Sequence, residues 1–150
     1  MPTSYACLYY HIVFSTRDRL PLITPEIRPR LHEYLGGIVR TRQGALVAAG
    51  GTADHVHLLV SLSKTRTIAA DVQAMKASSS GWLHASVPRL AQFAWQEGYG
   101  AFSISYSGLP RVKAYLAQQE EHHRTVSFQE ELVAFLQQHQ VRYDERYLWD

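Results

Sequence analysis

The chain alternates between segments of two hydrophobic periods. Tyr9 to Thr16 (YYHIVFST) is rich in aromatic and β-branched residues and predicts a strand. Thr24-Pro25-Glu26 supplies a helix start, after which Ile27, Leu31, Leu35 and Ile38 recur at helical spacing. Pro29 does not suit that register and predicts a delay of one turn, and Arg40, Arg42 and Gly44 close the helix. Ala45 to Ala49, ending at Gly50-Gly51, and His55 to Leu62 (HVHLLVSL) predict a hairpin turning around Thr52-Ala53-Asp54. Thr67 caps a second helix whose stripe is Ile68, Val72, Met75, Ser79 and Trp82, with a weak middle at Ser78 to Gly81. Gly98 to Ser105 predicts a last strand. A third helix is expected from Ser107 to about Arg124, and Ser127-Phe128-Gln129-Glu130 is a capping box opening a fourth with Leu132, Phe135, Leu136 and His139. The tail from Arg142 to Asp150 carries Tyr143, Tyr147 and Trp149 and is too aromatic to be left undocked.

The order β-α-β-β-α-β followed by helices is the split βαβ, ferredoxin-like pattern of an α+β protein. The expectation is an antiparallel sheet of four to five strands with helices mainly on one face and the other face partly open. No repeat or linker divides the chain, so residues 1–150 are expected to form one domain, with a core over about 9–124 and a C-terminal helix and aromatic tail over 127–150.

Composition narrows this little. With 46% hydrophobic and 19% charged residues the chain is no disordered polymer. A net charge of +2 permits a nucleic-acid partner only through a local basic patch. The single cysteine, Cys7, excludes an intrachain disulfide and any Cys-rich zinc module, which fits a cytoplasmic setting. No apolar run approaches the roughly 18 residues of a membrane span, and the start Met1-Pro2-Thr3-Ser4-Tyr5 is not a secretory signal.

The chemistry concentrates in the strand His55 to Leu62. Val56, Leu58, Val60 and Leu62 form one apolar row, so His55 and His57 share the other face, about 6–7 Å apart along the strand. Two imidazoles so placed can converge on a metal ion, although an HxH spacing alone more often means two surface histidines. On the third helix Tyr115 and Gln119 stand four residues apart and share a face. Together these residues offer a nucleophile, two nitrogen ligands and an oxygen ligand.

The blocks Tyr10 to Thr16, Asp54 to Val60 (DHVHLLV), Met75 to Ser79 (MKASS), Trp95 to Ser103 (WQEGYGAFS) and Tyr115 to His123 (YLAQQEEHH) carry a resemblance over nearly the whole chain. The chain resembles the single-tyrosine HUH transposases of small insertion sequences, a group that includes the REP-associated tyrosine transposases. The resemblance implies a strand transferase acting on single-stranded DNA, often at hairpin ends, with His55 and His57 as metal ligands, Gln119 as the third ligand and Tyr115 as the nucleophile. It also implies a homodimer, in which the tyrosine helix completes either its own or the partner's histidine pair. The sequence leaves both open.

Such chemistry has a physical rationale. A divalent cation held by two imidazoles and an amide oxygen keeps its full charge for the scissile phosphate. Mixed nitrogen and oxygen ligation suits Mg²⁺ or Mn²⁺, while the histidines also accept Zn²⁺ or Ni²⁺. Attack by Tyr115 stores the bond as a 5′-phosphotyrosine ester. Asp54, His11, His122 and His123 are candidates for orienting a ligand or moving the phenol proton, although a turn residue, a structural histidine and a helix-end charge are the bland accounts. Candidate DNA contacts are Arg17, Arg19, Lys76 and Arg111, with Arg40, Arg42, Lys64 and Arg66 behind them; Tyr99 and Tyr106 could stack on bases, and Trp95 is better placed in the core. His57→Ala is expected to abolish cleavage and spare the fold. The competing readings are a ferredoxin-like single-stranded nucleic-acid-binding protein without catalysis, and a zinc hydrolase using Glu120 or Glu121.

Overall fold

A computed structural model describes residues 3–150; Met1 and Pro2, part of the N-terminal segment read above as no secretory signal, lie outside the described residues. Four strands form one antiparallel sheet: β1 (Tyr9–Ser15), β2 (Ala45–Gly51), β3 (His55–Ser61) and β4 (Gly100–Ile104), in the order β2-β3-β1-β4. The helices are α1 (Arg28–Thr41), α2 (Ile68–Ser86), α3 (Leu109–Ala117), α4 (Gln119–His122) and α5 (Phe128–Gln138). This is the α+β, split βαβ arrangement. It has four strands; Thr16 and Trp95 add only an isolated bridge.

Alternation sorts the strands into two faces. Ile12 and Phe14 of β1 join Val56, Leu58 and Val60 of β3 in a core closed by Leu31, Leu35 and Val39 of α1 and by Val72, Met75 and Leu83 of α2. The helix α1 begins at Arg28 with Pro29 in its first turn, the delay predicted from that proline. In α2, Leu83 takes the core position expected of Trp82, which is half-buried and stacked on Tyr34 at 4.7 Å. Ser79 is tolerated in the core because its hydroxyl donates to Met75 O (2.6 Å) and accepts from Trp95 Nε1 (2.9 Å).

The second face is not open. Leu109 and Leu116 of α3 cover Leu59, while Phe128, Leu132 and Leu136 of α5 cover Val13 and Phe102. Tyr143, Leu148 and Trp149 of the tail pack onto the same cluster. Each fully buried Leu or Phe contributes about 1.5–3 kcal/mol, enough to hold α5 down. The expectation of helices on mainly one face therefore needs correction in this respect: the two long helices lie on one side, the three shorter ones on the other. In consequence β3 is buried on both faces.

The predicted third helix is broken. It ends at Ala117; Gln118, at φ −109° and ψ 20°, bonds back to Tyr115 O in a tighter turn before the single turn of α4. No proline or glycine marks this break, so the side chains drawn beneath it decide its position. The capping box at Ser127 and Glu130 forms as predicted. No helix among the described residues is long and apolar enough to cross a membrane.

Candidate metal and tyrosine centre

Register places the chemical residues together. Val13 pairs with His57, Ser15 with His55 and His11 with Leu59, so all of these share the face beneath α3 and α5. On the next strand Gly50 pairs with His57 and also faces α3. A Cβ built at Gly50 would collide with Leu116 O and lie 2.9 Å from the Leu116 carbonyl carbon, so only glycine lets the backbone of α3 come down this far. That close approach brings Tyr115, the neighbour of Leu116, to 5.9 Å from the His57 ring.

His55 and His57 are fully buried, which corrects the expectation of exposed histidines. Burial is possible because each ring nitrogen is engaged. His55 Nδ1 donates to Asp54 Oδ1 (2.6 Å), and a 2.7 Å hydrogen bond joins His57 Nδ1 to His11 Nε2. Gln119 is buried too, its Oε1 standing 3.2 Å from His55 Nε2 and 3.0 Å from His123 Nε2. Tyr115, His55, His57 and Gln119 thus meet within one chain, with Asp54 and His11 behind the two histidines.

At the centre lies Glu131 of α5, which the sequence reading passed over. Its Oε1 stands 2.8 Å from His57 Nε2, 3.1 Å from His123 Nε2 and 3.6 Å from His55 Nε2. Its Oε2 accepts from the Tyr115 hydroxyl and from Gln119 Nε2 at 3.4 Å, and lies 3.3 Å from His122 Nε2. A signal for it existed: Phe128, Glu131, Leu132, Phe135 and Leu136 follow the apolar helical stripe, and a carboxylate at such a position needs partners. His123, read as a candidate helper, joins the cluster itself, whereas His122 stays at its edge.

The electrostatics follow from this packing. Burial pulls the His11 pKa down to about 3 and, against the opposing Glu131 carboxylate, His57 to about 4, so both are neutral. His123 is raised: burial opposes its charge, but the bond to Glu131 prevails. Glu131 is held far below the usual carboxylate range, because its bonds to His123 and His57 outweigh burial. Tyr115 is pushed up by burial and by donating to Glu131, which keeps the resting phenol protonated.

His55, His57, His123 and Glu131 each present one ligand atom within 4.8 Å of the others, a set that could hold a metal ion. Beside it opens a cavity of about 410 Å³, lined in part by Arg28, Asp54, His123, Ser127 and Gln129. Among the predicted DNA contacts, Arg17 and Arg111 are exposed, and Arg19 packs over Trp149. Lys76 is not free: its ammonium donates to the carbonyls of Gln96, Glu97 and Gly98 at 2.6–3.1 Å. Tyr106 and Tyr99 are exposed, and Trp95 is core.

Residues 4–119 match the family described as IS200-like transposases, which spans most of the chain; the protein belongs to that family and is a DNA transposase. Among its relatives, the ISDra2 transposase TnpA of Deinococcus radiodurans is 23% identical over 119 residues, covering 76% of this chain and 85% of that protein. A crystal structure of a protein assigned as a transposase from Deinococcus radiodurans R1 superposes with a TM-score of 0.64 at 24% identity, covering 79% of this chain and 96% of the other. A REP-associated tyrosine transposase bound to a REP hairpin gives a TM-score of 0.59 at 15% identity, covering 82% and 74%. Both solved structures share the fold.

Proposed function

We propose that this transposase cuts and rejoins single-stranded DNA through Tyr115, with a divalent metal ion held by the histidine pair. One observation carries the reading: the Tyr115 hydroxyl and both histidines converge on a single carboxylate, inside one chain, on the sheet face beneath α3 and α5. A purely structural tyrosine needs no such company.

The residues fit a metal. His55, His57, His123 and Glu131 would hold it with Gln119 alongside, and Mg²⁺ or Mn²⁺ is the ion expected from the sequence. When bound, it would neutralise charge on the scissile phosphate. Incoming DNA must first displace the hydrogen bond between Tyr115 and Glu131. The Tyr115 oxygen then forms a bond to phosphorus as the bond to the 3′ oxygen breaks, leaving a 5′-phosphotyrosine and a 3′-hydroxyl. His122 would accept the phenol proton: its ring lies 5.3 Å from Tyr115, and its Nε2 stands 3.3 Å from the same Glu131 oxygen that accepts from the Tyr115 hydroxyl. The same proton returns to the leaving 3′ oxygen.

Asp54 and His11 fix the orientation of His55 and His57. Arg111, one turn before Tyr115 on α3, and Arg17 and Arg19 supply phosphate contacts. The hairpin in the REP-associated relative supports a hairpin end as substrate. Because Tyr115 already meets the histidines of its own chain, a homodimer is not needed to complete the site. Residues 1–150 then work as one transposase domain, in the cytoplasm where its DNA lies.

The test is a 3′-labelled single strand carrying a hairpin, incubated with Mn²⁺ and resolved under denaturing conditions. A covalent adduct lost in Tyr115→Phe and kept in Tyr106→Phe is expected. Cleavage that survives Tyr115→Phe defeats the proposal.

A further inference from the structure

We infer that the cavity beside the histidines seats the last nucleotide of the leaving strand, the one that ends in the 3′-hydroxyl, and that Arg28 of α1 holds the phosphate on its 5′ side by exchanging Glu120 for it. This rests on the Tyr115 reading above and adds a seat for the strand that the tyrosine does not keep.

Position carries the argument. Tyr115 stands at the His57 end of the pair, its ring 5.9 Å from His57 and 5.3 Å from His122. The cavity of about 410 Å³ opens at the other end. Its wall contains Asp54, which is bonded to His55, and His123, whose ring lies 4.4 Å from that of His55. His57 and Tyr115 take no part in that wall. In phosphoryl transfer the attacking and leaving oxygens stand roughly in line across phosphorus. With Tyr115 attacking from the His57 side, the 3′ oxygen departs toward His55 and the cavity. The volume falls within the range of about 300–1,000 Å³ that small-molecule sites occupy, room for one nucleotide. Pro21, Pro25 and Phe128 give it apolar surface for sugar and base.

Arg28 supplies the charge. Its side chain is 12% exposed; one Nη donates to Ile23 O at 3.1 Å, and the other pairs with Glu120, whose side chain is 72% exposed. Its Nε is buried without a partner. The guanidinium is thus anchored to the protein on one side and held on the other by a carboxylate that water reaches freely. An ion pair so exposed is weak and readily exchanged. A phosphate takes two guanidinium hydrogen bonds at once and is bound more firmly for it. The other carboxylate of the wall, Asp54, is already engaged by His55 and Thr52. In rejoining, the seated 3′ oxygen forms its bond to phosphorus as the tyrosine–phosphorus bond breaks, and its proton passes to the phenolate.

The experiment uses the full chain and the hairpin-bearing single strand of the adduct assay. Binding is read first, by fluorescence anisotropy in a chelator so that no cutting occurs. Arg28→Ala should weaken it about tenfold and lower the slope of log affinity against log salt by about 0.7, the share of one phosphate contact on a single strand. Glu120→Gln, which frees Arg28, should tighten binding by about two- to threefold. An arginine that only braced α1 against α4 predicts the opposite sign for Glu120→Gln. Rejoining is read next: adduct formed with Mn²⁺ and separated from the leaving fragment is mixed with rising concentrations of that fragment. The concentration for half-maximal rejoining should rise about tenfold in Arg28→Ala, with the maximal rate changed by less than about threefold, the mark of lost binding rather than lost chemistry. Arg28→Ala that binds and rejoins like wild type, or Glu120→Gln that weakens binding, overturns the inference. Circular dichroism checks each fold; should Arg28→Ala not fold, the sign of the Glu120→Gln effect decides. If wild type forms no adduct, the Tyr115 reading fails and the anisotropy signs still judge Arg28; an adduct in wild type with unchanged binding and rejoining in Arg28→Ala sinks the seat alone.

Discussion

Gly50→Ala should separate the chemistry from the fold. The added methyl would lie within van der Waals contact of the α3 backbone, 2.9 Å from the Leu116 carbonyl carbon and closer still to its oxygen. Carbon contacts settle at about 3.5–4.0 Å, so α3 must retreat by about 1 Å. Overpacking of this kind costs about 1–3 kcal/mol, offset by up to about 1 kcal/mol from the stiffer unfolded chain. The net expectation is a loss of about 1–2 kcal/mol, readable as a lower urea midpoint in a protein that still folds. Catalysis should suffer more. Tyr115 precedes Leu116 and rides on the same turn, and a displacement of about 1 Å can cost on the order of 100-fold in rate. His55 and His57 lie on β3 and stay in place, so divalent-metal affinity should change little. The assay is the initial rate of covalent adduct formation on a hairpin oligonucleotide, beside the urea midpoint and metal affinity. A folded Gly50→Ala protein that forms adduct at the wild-type rate would refute the claim that this close approach positions Tyr115.

Other expectations follow from the same packing. His57→Ala should not spare the fold, contrary to the sequence expectation: it empties a fully buried position and strands His11 and Glu131, for a loss of about 2–4 kcal/mol by urea denaturation. His32 on α1 is held near pKa 4 by burial and by Arg28, against 6.5 when unfolded, and its Nε2 has no partner. The unfolded chain binds the extra proton, so this stability is complete above pH 6.5 and fades as pH falls toward 4; about 1 kcal/mol should be gone at pH 5.5, and His32→Gln should flatten the slope by that amount. Ser127→Ala removes the cap on α5 and should cost about 1 kcal/mol, speeding hydrogen exchange in α5 before the sheet. Trp95→Phe loses the bond to Ser79 and should lower stability by about 1 kcal/mol in thermal unfolding.

The order of elements, the antiparallel sheet and the shared face of His11, His55 and His57 were legible in the sequence. They follow from local rules: alternation along a strand, apolar spacing along a helix, proline and cap residues at the ends. Tyr115 and Gln119 could be singled out by the same means. Tertiary structure alone decided that α3, α4 and α5 close over the histidines, that the helix breaks at Gln118, that Glu131 enters the site, and that His123, named from the sequence as a candidate helper, joins the cluster directly. Those outcomes depend on contacts between residues far apart in the chain. A buried carboxylate is tolerable only where several distant donors reach it together, and no periodicity within a single segment records where those donors will be.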